Sequence, residues 1–166
     1  IYHRPVMLEE AIEGLNINPD GIYVDVTFGG GGHSRAILER LSDKGKLLAF
    51  DQDEAAQQNK IKDDRFQLIH GNFMHLKRFL KFYGIGTVDG ILADFGVSSH
   101  QFDSGERGFS TRYEGPLDMR MDTQNPLTAH EVVNHYSLED LQNIFKAYGE
   151  LRNAKKIAAR LIHYRT

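Results

Sequence analysis

The sequence contains no cysteine. Disulfides, cysteine-ligated zinc sites and a thiol nucleophile are therefore excluded, and a reducing compartment suits this composition. No signal peptide is expected and no apolar run approaches the length of a membrane span, so the sequence predicts a cytoplasmic protein without membrane contact. The formal net charge is only −3, which argues against a pure nucleic-acid coat but not against an enzyme with a local basic patch.

A metal site is not predicted either. The chain has 8 histidines but no H-E-x-x-H pattern. His130 and His135 are spaced so that they do not share one helical face, and the same holds for His70 and His75. Surface and internally hydrogen-bonded histidines account for this scatter better than metal ligands do.

Apolar, strand-like segments alternate with helical patterns through the first half of the 166 residues. Four strands are predicted: Gly21–Val26, Leu47–Phe50, the stretch RFQLIHGNF, and Val88–Ala93. This alternation is typical of βαβ units, so we predict an α/β fold with a parallel, Rossmann-like sheet and helices on both faces. Ligands of such sheets bind beyond the carboxyl ends of the strands. The acids at those ends, Asp25, Asp51 and Asp94, are therefore expected to face one crevice.

The alternation of strand-like and helical segments ends after Asp94. Ser98–Met121 is polar and rich in glycine, aspartate and arginine, which predicts a long functional loop. Three helices are predicted to follow, over Leu127–His135, Leu138–Tyr148 and Asn153–Tyr164, and Ser137 is the expected N-cap of the second. We place the boundary between the two regions at residues 104 and 105.

Four consecutive glycines, in the stretch DVTFGGGGHS, follow the first strand. Glycine lets a ligand lie against the backbone and its N–H groups. The dinucleotide pattern G-x-G-x-x-G does not fit, because its sixth position is Ser34 or Arg35. An acid ahead of the glycines, here Asp25, is the arrangement of folds that bind S-adenosylmethionine, where the acid receives an ammonium group. A glycine-rich turn for tight packing is the alternative.

Asp51 ends the second predicted strand. An acid at this position accepts hydrogen bonds from ribose hydroxyls, in NAD and in S-adenosylmethionine alike. The alternative is a helix N-cap before Glu54, although Asp53 suits that role better. Asp51 therefore predicts a nucleoside ligand without deciding which one.

Asp94 follows the fourth strand, where a transferred group would lie. Its carboxylate is suited to accept a hydrogen bond from an amine or to take a proton. A loop-organising role, with bonds to the N–H groups of Gly96 and Val97, is equally consistent with the sequence. Phe73, in the stretch HGNF after the third strand, is a weaker candidate for contact with an adenine, and a core position is its alternative.

The segment Glu106–Asp122 alternates charged residues with aromatics and methionine. Arg107, Arg112 and Arg120 are candidates for phosphate binding, and Phe109 or Tyr113 for stacking on a base. Internal salt bridges that order a long loop explain the same composition, and composition alone favours this explanation.

Seven stretches occur in an order that closely resembles the bacterial 16S ribosomal RNA cytosine-N4 methyltransferases: HRPVMLEEAI, DVTFGGGGHS, FDQD, HGNF, DGILADFGVSSHQFD, RGFS and GPLDMRMD. The resemblance runs from His3 to about Arg165, and GPLDMRMD together with LADFGVSS is its most specific part. Phe95 and Phe102 stand where that family usually has leucine. Family members are much longer, so the chain is expected to be truncated at its C-terminus.

The resemblance implies that S-adenosylmethionine is the cofactor and that a cytidine of 16S ribosomal RNA in the small ribosomal subunit is the substrate. It implies cofactor binding by seven residues: Gly31, Gly32, His33, Asp51, Phe73, Asp94 and Gln101. Asp94 is the candidate catalytic residue. Residues 1–104 are then the S-adenosylmethionine-binding domain, and residues 105–166 are part of an RNA-recognition insertion.

Two other functions stay open from the sequence. A non-catalytic RNA-binding or assembly protein that kept the fold would bind the cofactor without transferring methyl groups. An NAD-dependent oxidoreductase is disfavoured by the imperfect glycine spacing. Direct methyl transfer itself needs no metal.

Overall fold

The computed structural model describes residues 5–165, with residues 99 and 100 described by their backbone alone. His3 and Arg4 of the HRPVMLEEAI motif lie outside the described residues. The chain divides into two compact units between residues 98 and 99. The segment 99–104, which the sequence placed with the first region, groups with the second unit, and a helix begins at Ser99.

The first unit is built on a parallel sheet. Its strands are β1 (Ile22–Asp25), β2 (Lys46–Asp51), β3 (Phe66–His70) and β4 (Gly90–Leu92). Their spatial order is β3-β2-β1-β4, and every pairing is parallel. Val24 of β1 stands opposite Leu48 of β2 on one side and Ile91 of β4 on the other, so β1 lies inside the sheet.

Helices cover both faces of this sheet. They are α1 (Leu8–Leu15), α2 (Gly32–Leu38) and α3 (Leu76–Phe82). Tyr23 and Leu47 point to the face where Ile12 of α1 and Ile37 of α2 pack. The next residues along the same strands point to the opposite face, where α3 packs: Val24, Leu48, Leu76 and Phe79. The predicted Rossmann-like α/β class is confirmed.

Two local elements differ from the prediction. Helix α2 begins at Gly32 rather than Ser34, directly after Gly31 in the left-handed conformation (φ 76°). Glu54–Asn59 is a 3₁₀ helix rather than an α-helix. Asp53 is its N-cap, as predicted, and its carboxylate accepts the N–H of Ala55 over 3.1 Å.

The second unit is helical. It contains α4 (Ser99–Asp103), a 3₁₀ helix (Gly105–Arg107), α5 (Ala129–His135), α6 (Leu138–Ala147) and α7 (Ala154–His163). The expectation of an unbroken loop over Ser98–Met121 is therefore wrong at its start. Ser137 caps α6 as predicted, since its Oγ accepts the N–H of Asp140 over 3.1 Å. Helices α6 and α7 pack together.

No helix in the described part of the chain is long and apolar enough to cross a membrane.

Candidate functional site

The loops after β1 and β4 lie side by side at the carboxyl edge of the sheet. The strand order reverses between β1 and β4, and doubly wound folds bind ligands outside the carboxyl ends of the strands at such a switch point. The N–H of Val26 donates to the carbonyl of Leu92 over 2.9 Å. The N–H of Asp94 donates to Oγ1 of Thr27 over 2.7 Å. These two bonds join the loops where the fold places its ligand.

Asp25, the acid at the end of β1, lies inside the protein, and the expectation that it faces the crevice is wrong. Its side chain is fully buried, at 0% exposure. Oδ2 accepts the hydroxyl of Ser34 over 2.7 Å, and Oδ1 accepts the N–H of Thr27 over 3.0 Å. Burial raises the pKa of Asp25, and the two hydrogen bonds oppose that rise. Because Thr27 and Ser34 flank the glycine run, Asp25 organises the loop instead of receiving a ligand's ammonium group.

Asp51, at the end of β2, is only partly exposed, and its carboxylate binds the glycine run as that of Asp25 binds the residues flanking it. Oδ2 accepts the N–H of Gly29 over 2.7 Å, and Oδ1 accepts the N–H of Asp53 over 2.8 Å. Burial raises the pKa of Asp51, while these two hydrogen bonds lower it. Each oxygen has a second lone pair, so the carboxylate retains acceptor capacity for hydroxyl groups.

The glycines have different environments. Gly29 and Gly31 adopt positive φ angles of 51° and 76°, which side chains other than glycine rarely take. A Cβ on Gly29 would meet nothing within 4 Å, whereas one on Gly31 would lie 2.8 Å from the ring of Phe28. A Cβ on Gly32 would collide with Pro5. Space is therefore open beside Gly29 but not beside Gly31 or Gly32, and the predicted cofactor contacts of the latter two stay predictions.

His33 is buried in the first turn of α2. Its Nε2 lies 3.1 Å from the carbonyl oxygen of Val6, so the tautomer protonated at Nε2 donates a hydrogen bond to that carbonyl. The side chain thus fastens the N-terminal segment to α2. Nε2 is thus engaged with Val6, and the predicted contact of His33 with a cofactor stays a prediction.

Phe73 lies at the start of the short 3₁₀ helix Phe73–His75, after β3. Asn72 caps this helix by accepting the N–H of Met74 over 2.9 Å. The ring of Phe73 is 37% exposed, which is against the alternative of a core position. Its centroid lies 5.6 Å from that of Phe95, whose side chain is 71% exposed.

Asp94 is exposed at the switch point. Its backbone is anchored by Thr27, as described above, while its carboxylate accepts no hydrogen bond from any residue in the described part of the chain. The alternative of a loop-organising bond to Gly96 or Val97 is therefore wrong. The carboxylate is free to meet a ligand.

Thr27 and Phe95 are the two residues at this edge to which the sequence assigned no role. Thr27 lies between Asp25 and the glycines in the stretch DVTFGGGGHS. A hydroxyl side chain just after a strand was the sequence feature that could have identified it. Phe95 is adjacent to Asp94, but its contact with Phe73 joins residues 22 positions apart and has no local signature.

Gln101 belongs to the second unit. It is 6% exposed, and its Nε2 donates to Sδ of Met121 over 3.4 Å. The predicted contact of Gln101 with the cofactor stays a prediction.

Two of the three candidate phosphate-binding arginines order the second unit instead. Arg120 donates to both carboxylate oxygens of Asp118, over 2.8 and 2.6 Å, and holds the pKa of that acid down at about 2. Arg107 donates to the carbonyl of Arg120 over 2.9 Å. The explanation by internal salt bridges is confirmed for Arg120, whereas the bonds of Arg107 go to backbone carbonyls. Arg112 and Tyr113 are exposed.

No group of three or more histidine and acidic side chains suited to a metal ion occurs among the described residues.

Comparison with known proteins agrees with the fold. The model of the MraW methylase family matches residues 1–166. The chain belongs to the MraW methylase family.

Several curated relatives carry the name ribosomal RNA small subunit methyltransferase H. That of Christiangramia forsetii is 60% identical over 164 residues, which are 99% of this chain and 54% of the relative. That of Flavobacterium johnsoniae has the same identity and coverage. That of Bacteroides fragilis is 56% identical over 165 residues, again 99% of this chain and 54% of the relative. The chain thus spans about half the length of the curated relatives it matches.

Proposed function

We propose that this protein is an S-adenosylmethionine-dependent methyltransferase that methylates the exocyclic N4 of a cytidine in 16S ribosomal RNA of the small ribosomal subunit. The observation that supports this proposal most directly is the match, over 99% of the chain, to relatives named ribosomal RNA small subunit methyltransferase H. A protein with this substrate acts where ribosomes assemble, in the cytoplasm. The geometry of the switch point supports a nucleoside cofactor beside an exposed acid.

The residues of the first unit suit this cofactor. Asp51 retains acceptor capacity for ribose hydroxyls, and the space beside Gly29 is open. The N–H groups of Gly32 and His33 fall in the first turn of α2, where they have no partner within the helix, and they suit the carboxylate of the methionine end. When bound, S-adenosylmethionine supplies an electrophilic methyl group.

Asp94 is the residue we assign to the target amine. The N4 amine of cytosine is a poor nucleophile, because its lone pair is delocalised into the ring, so it needs alignment within reacting distance. The exposed carboxylate of Asp94 is able to accept an N–H of this amine and to orient it. The same carboxylate is suited to take the proton that the amine must lose. The target base leaves its stack to reach this position.

The second unit is the part we assign to RNA. Around α7 it carries exposed basic residues, which suit contacts to phosphates: Arg152, Lys155, Lys156 and Arg160. Ala154 and Ala158 are the buried positions of α7. Lys156 and Arg160 are one turn apart on a different side of the helix from these alanines. Arg112 and Tyr113 add an exposed cation and an exposed aromatic ring.

The cofactor assignment is tested by Asp51→Ala in the protein expressed from its whole reading frame. Removing the carboxylate removes the ribose acceptor, and hydrogen bonds to charged groups are worth about 1.5–3 kcal/mol each. We expect S-adenosylmethionine affinity, measured by calorimetry, to fall at least ~100-fold for two such bonds. Asp64→Ala is the matched control, because Asp64 is an exposed acid just before β3, at the opposite edge of the sheet.

Unchanged affinity in the Asp51→Ala variant would sink the cofactor assignment. Methyl transfer is tested separately, with small ribosomal subunits that lack the modification. Cofactor binding without transfer to these subunits would favour the non-catalytic RNA-binding protein.

A further inference from the structure

We propose that Phe95 forms, together with Phe73, the surface that binds the adenine ring of the cofactor. This inference rests on the proposed function, because it names a further residue of the same cofactor site. It assigns a binding role to a side chain that the sequence left without one.

The position of the two rings is the first piece of evidence. Strands β3 and β4 are the two edges of the four-stranded sheet. Neighbouring strands lie about 4.8 Å apart, so the axes of β3 and β4 are about 14 Å apart. Phe73 and Phe95 follow β3 and β4, and yet their ring centroids are only 5.6 Å apart. The two loops must therefore lean inward, so that the rings meet above the ends of β1 and β2.

Hydrogen bonds hold both loops in this inward course. After β3, the N–H of Gly71 donates to the carbonyl of Asp51 over 2.9 Å. Nδ2 of Asn72 donates to Oε1 of Gln52 over 3.0 Å. After β4, the N–H of Asp94 donates to Thr27 at the end of β1. The loop after β3 is thus bonded to the end of β2, and the loop after β4 to the end of β1. Both β1 and β2 are central strands of the sheet.

The partly exposed carboxylate of Asp51 and the open space beside Gly29 lie at the strand ends that the rings span. A nucleoside with its ribose on Asp51 has its base directed toward this aromatic pair. The rings are tilted by 41°, and Phe73 and Phe95 are 37% and 71% exposed. Flat apolar faces beside a ribose acceptor suit stacking on a base.

The test is calorimetry of S-adenosylmethionine binding to the protein expressed from its whole reading frame. Phe95→Ala is expected to weaken binding about 5- to 20-fold, the lower part of the range for loss of one base-stacking ring. Phe95→Leu keeps an apolar contact without an aromatic face and is expected to lose less. 5′-Methylthioadenosine, which carries the adenine but no amino-acid end, should lose affinity in the same ratio.

Phe82→Ala is the matched control. Phe82 is also exposed, at 81%, and also contacts another ring, that of Tyr83 at 5.2 Å. It ends α3, which leads from the carboxyl end of β3 to the amino end of β4, so it lies near the opposite edge of the sheet. This variant should bind the cofactor as the unaltered protein does.

Two results would overturn the inference alone: unaltered affinity in Phe95→Ala, or an equal loss in Phe82→Ala. A Phe95→Ala variant with normal cofactor affinity and a raised KM for small ribosomal subunits would assign the ring to the RNA base instead. Failure of the unaltered protein to bind S-adenosylmethionine would overturn the proposed function, and this inference with it.

Discussion

Thr27→Val tests whether the hydroxyl between β1 and β4 positions Asp94. Oγ1 of Thr27 is the acceptor of the Asp94 N–H at 2.7 Å, and it lies 3.5 Å from Oδ1 of Asp25. Valine has nearly the same shape but offers no acceptor. The loop that carries Asp94 would then lose its side-chain anchor, while its carboxylate would be unchanged.

The expected loss of stability follows from this one hydrogen bond. A typical hydrogen bond contributes about 0.5–1.5 kcal/mol to stability, and water reaches this exposed site, so the lower half of that range is expected. The melting temperature should fall by about 1–4 °C, given roughly 2–4 °C per kcal/mol for a protein of this size or somewhat larger. A displacement of Asp94 by about 1 Å should lower kcat by up to about 100-fold.

The assay is single-turnover methyl transfer to small ribosomal subunits that lack the modification. Thr27→Ser is the control, because it keeps the hydroxyl and should retain most of the rate. Affinity for S-adenosylmethionine should also fall in Thr27→Val, because the same bond holds the loop that carries Phe95, whereas Thr27→Ser should retain it. A Thr27→Val enzyme with a normal rate would refute the positioning role, and so would equal damage from serine.

Two further predictions concern the loop between β1 and α2. Burial raises the pKa of Asp25 above its unfolded value of about 3.9, so its contribution to the free energy of unfolding is full below about pH 4 and declines as pH rises through the folded pKa. The free energy of unfolding, measured by denaturation at several pH values, should show this decline in the unaltered protein and not in Asp25→Asn. A difference between the two proteins that stays constant across pH would contradict the prediction. Gly32→Ala places a methyl group against Pro5 and should cost about 1–3 kcal/mol in thermal melts. Gly86→Ala, whose Cβ meets nothing within 4 Å, should cost much less, and equal effects would argue against the contact with Pro5.

The strands and their order along the chain were predictable from the sequence. The strands are runs of apolar and β-branched residues, such as Ile22–Asp25. The segments between them have apolar residues at helical spacing, so each strand and helix is recognisable from its own residues. Caps were predictable for the same reason: Asp53 and Ser137 bind N–H groups only two or three residues away. The helix start at Gly32 was missed, because the turn at Gly31 depends on a left-handed backbone that a run of glycines permits at any of its members.

Family motifs in the sequence also determined which residues to examine, and they correctly indicated the fold and the family. What they did not determine is how each residue is used. Asp25, Asp51 and Asp94 look alike as acids at strand ends. The packing of β1 between β2 and β4 buries Asp25, which accepts the hydroxyl of Ser34. Asp94 is exposed, and only its backbone N–H is bonded to Thr27.

The tertiary structure likewise decided the roles of the glycines and the aromatic rings. Pro5 and Phe28 occupy the side-chain directions of Gly32 and Gly31, and this leaves the open space at Gly29. Phe73 meets Phe95 across the whole width of the sheet. Local sequence determines a helix, a turn or a cap because its hydrogen bonds span a few residues, and it indicates a strand by a run of apolar, β-branched residues. The contacts of Pro5 with Gly32 and of Phe73 with Phe95 join residues at least 22 positions apart, so they exist only once the sheet has formed.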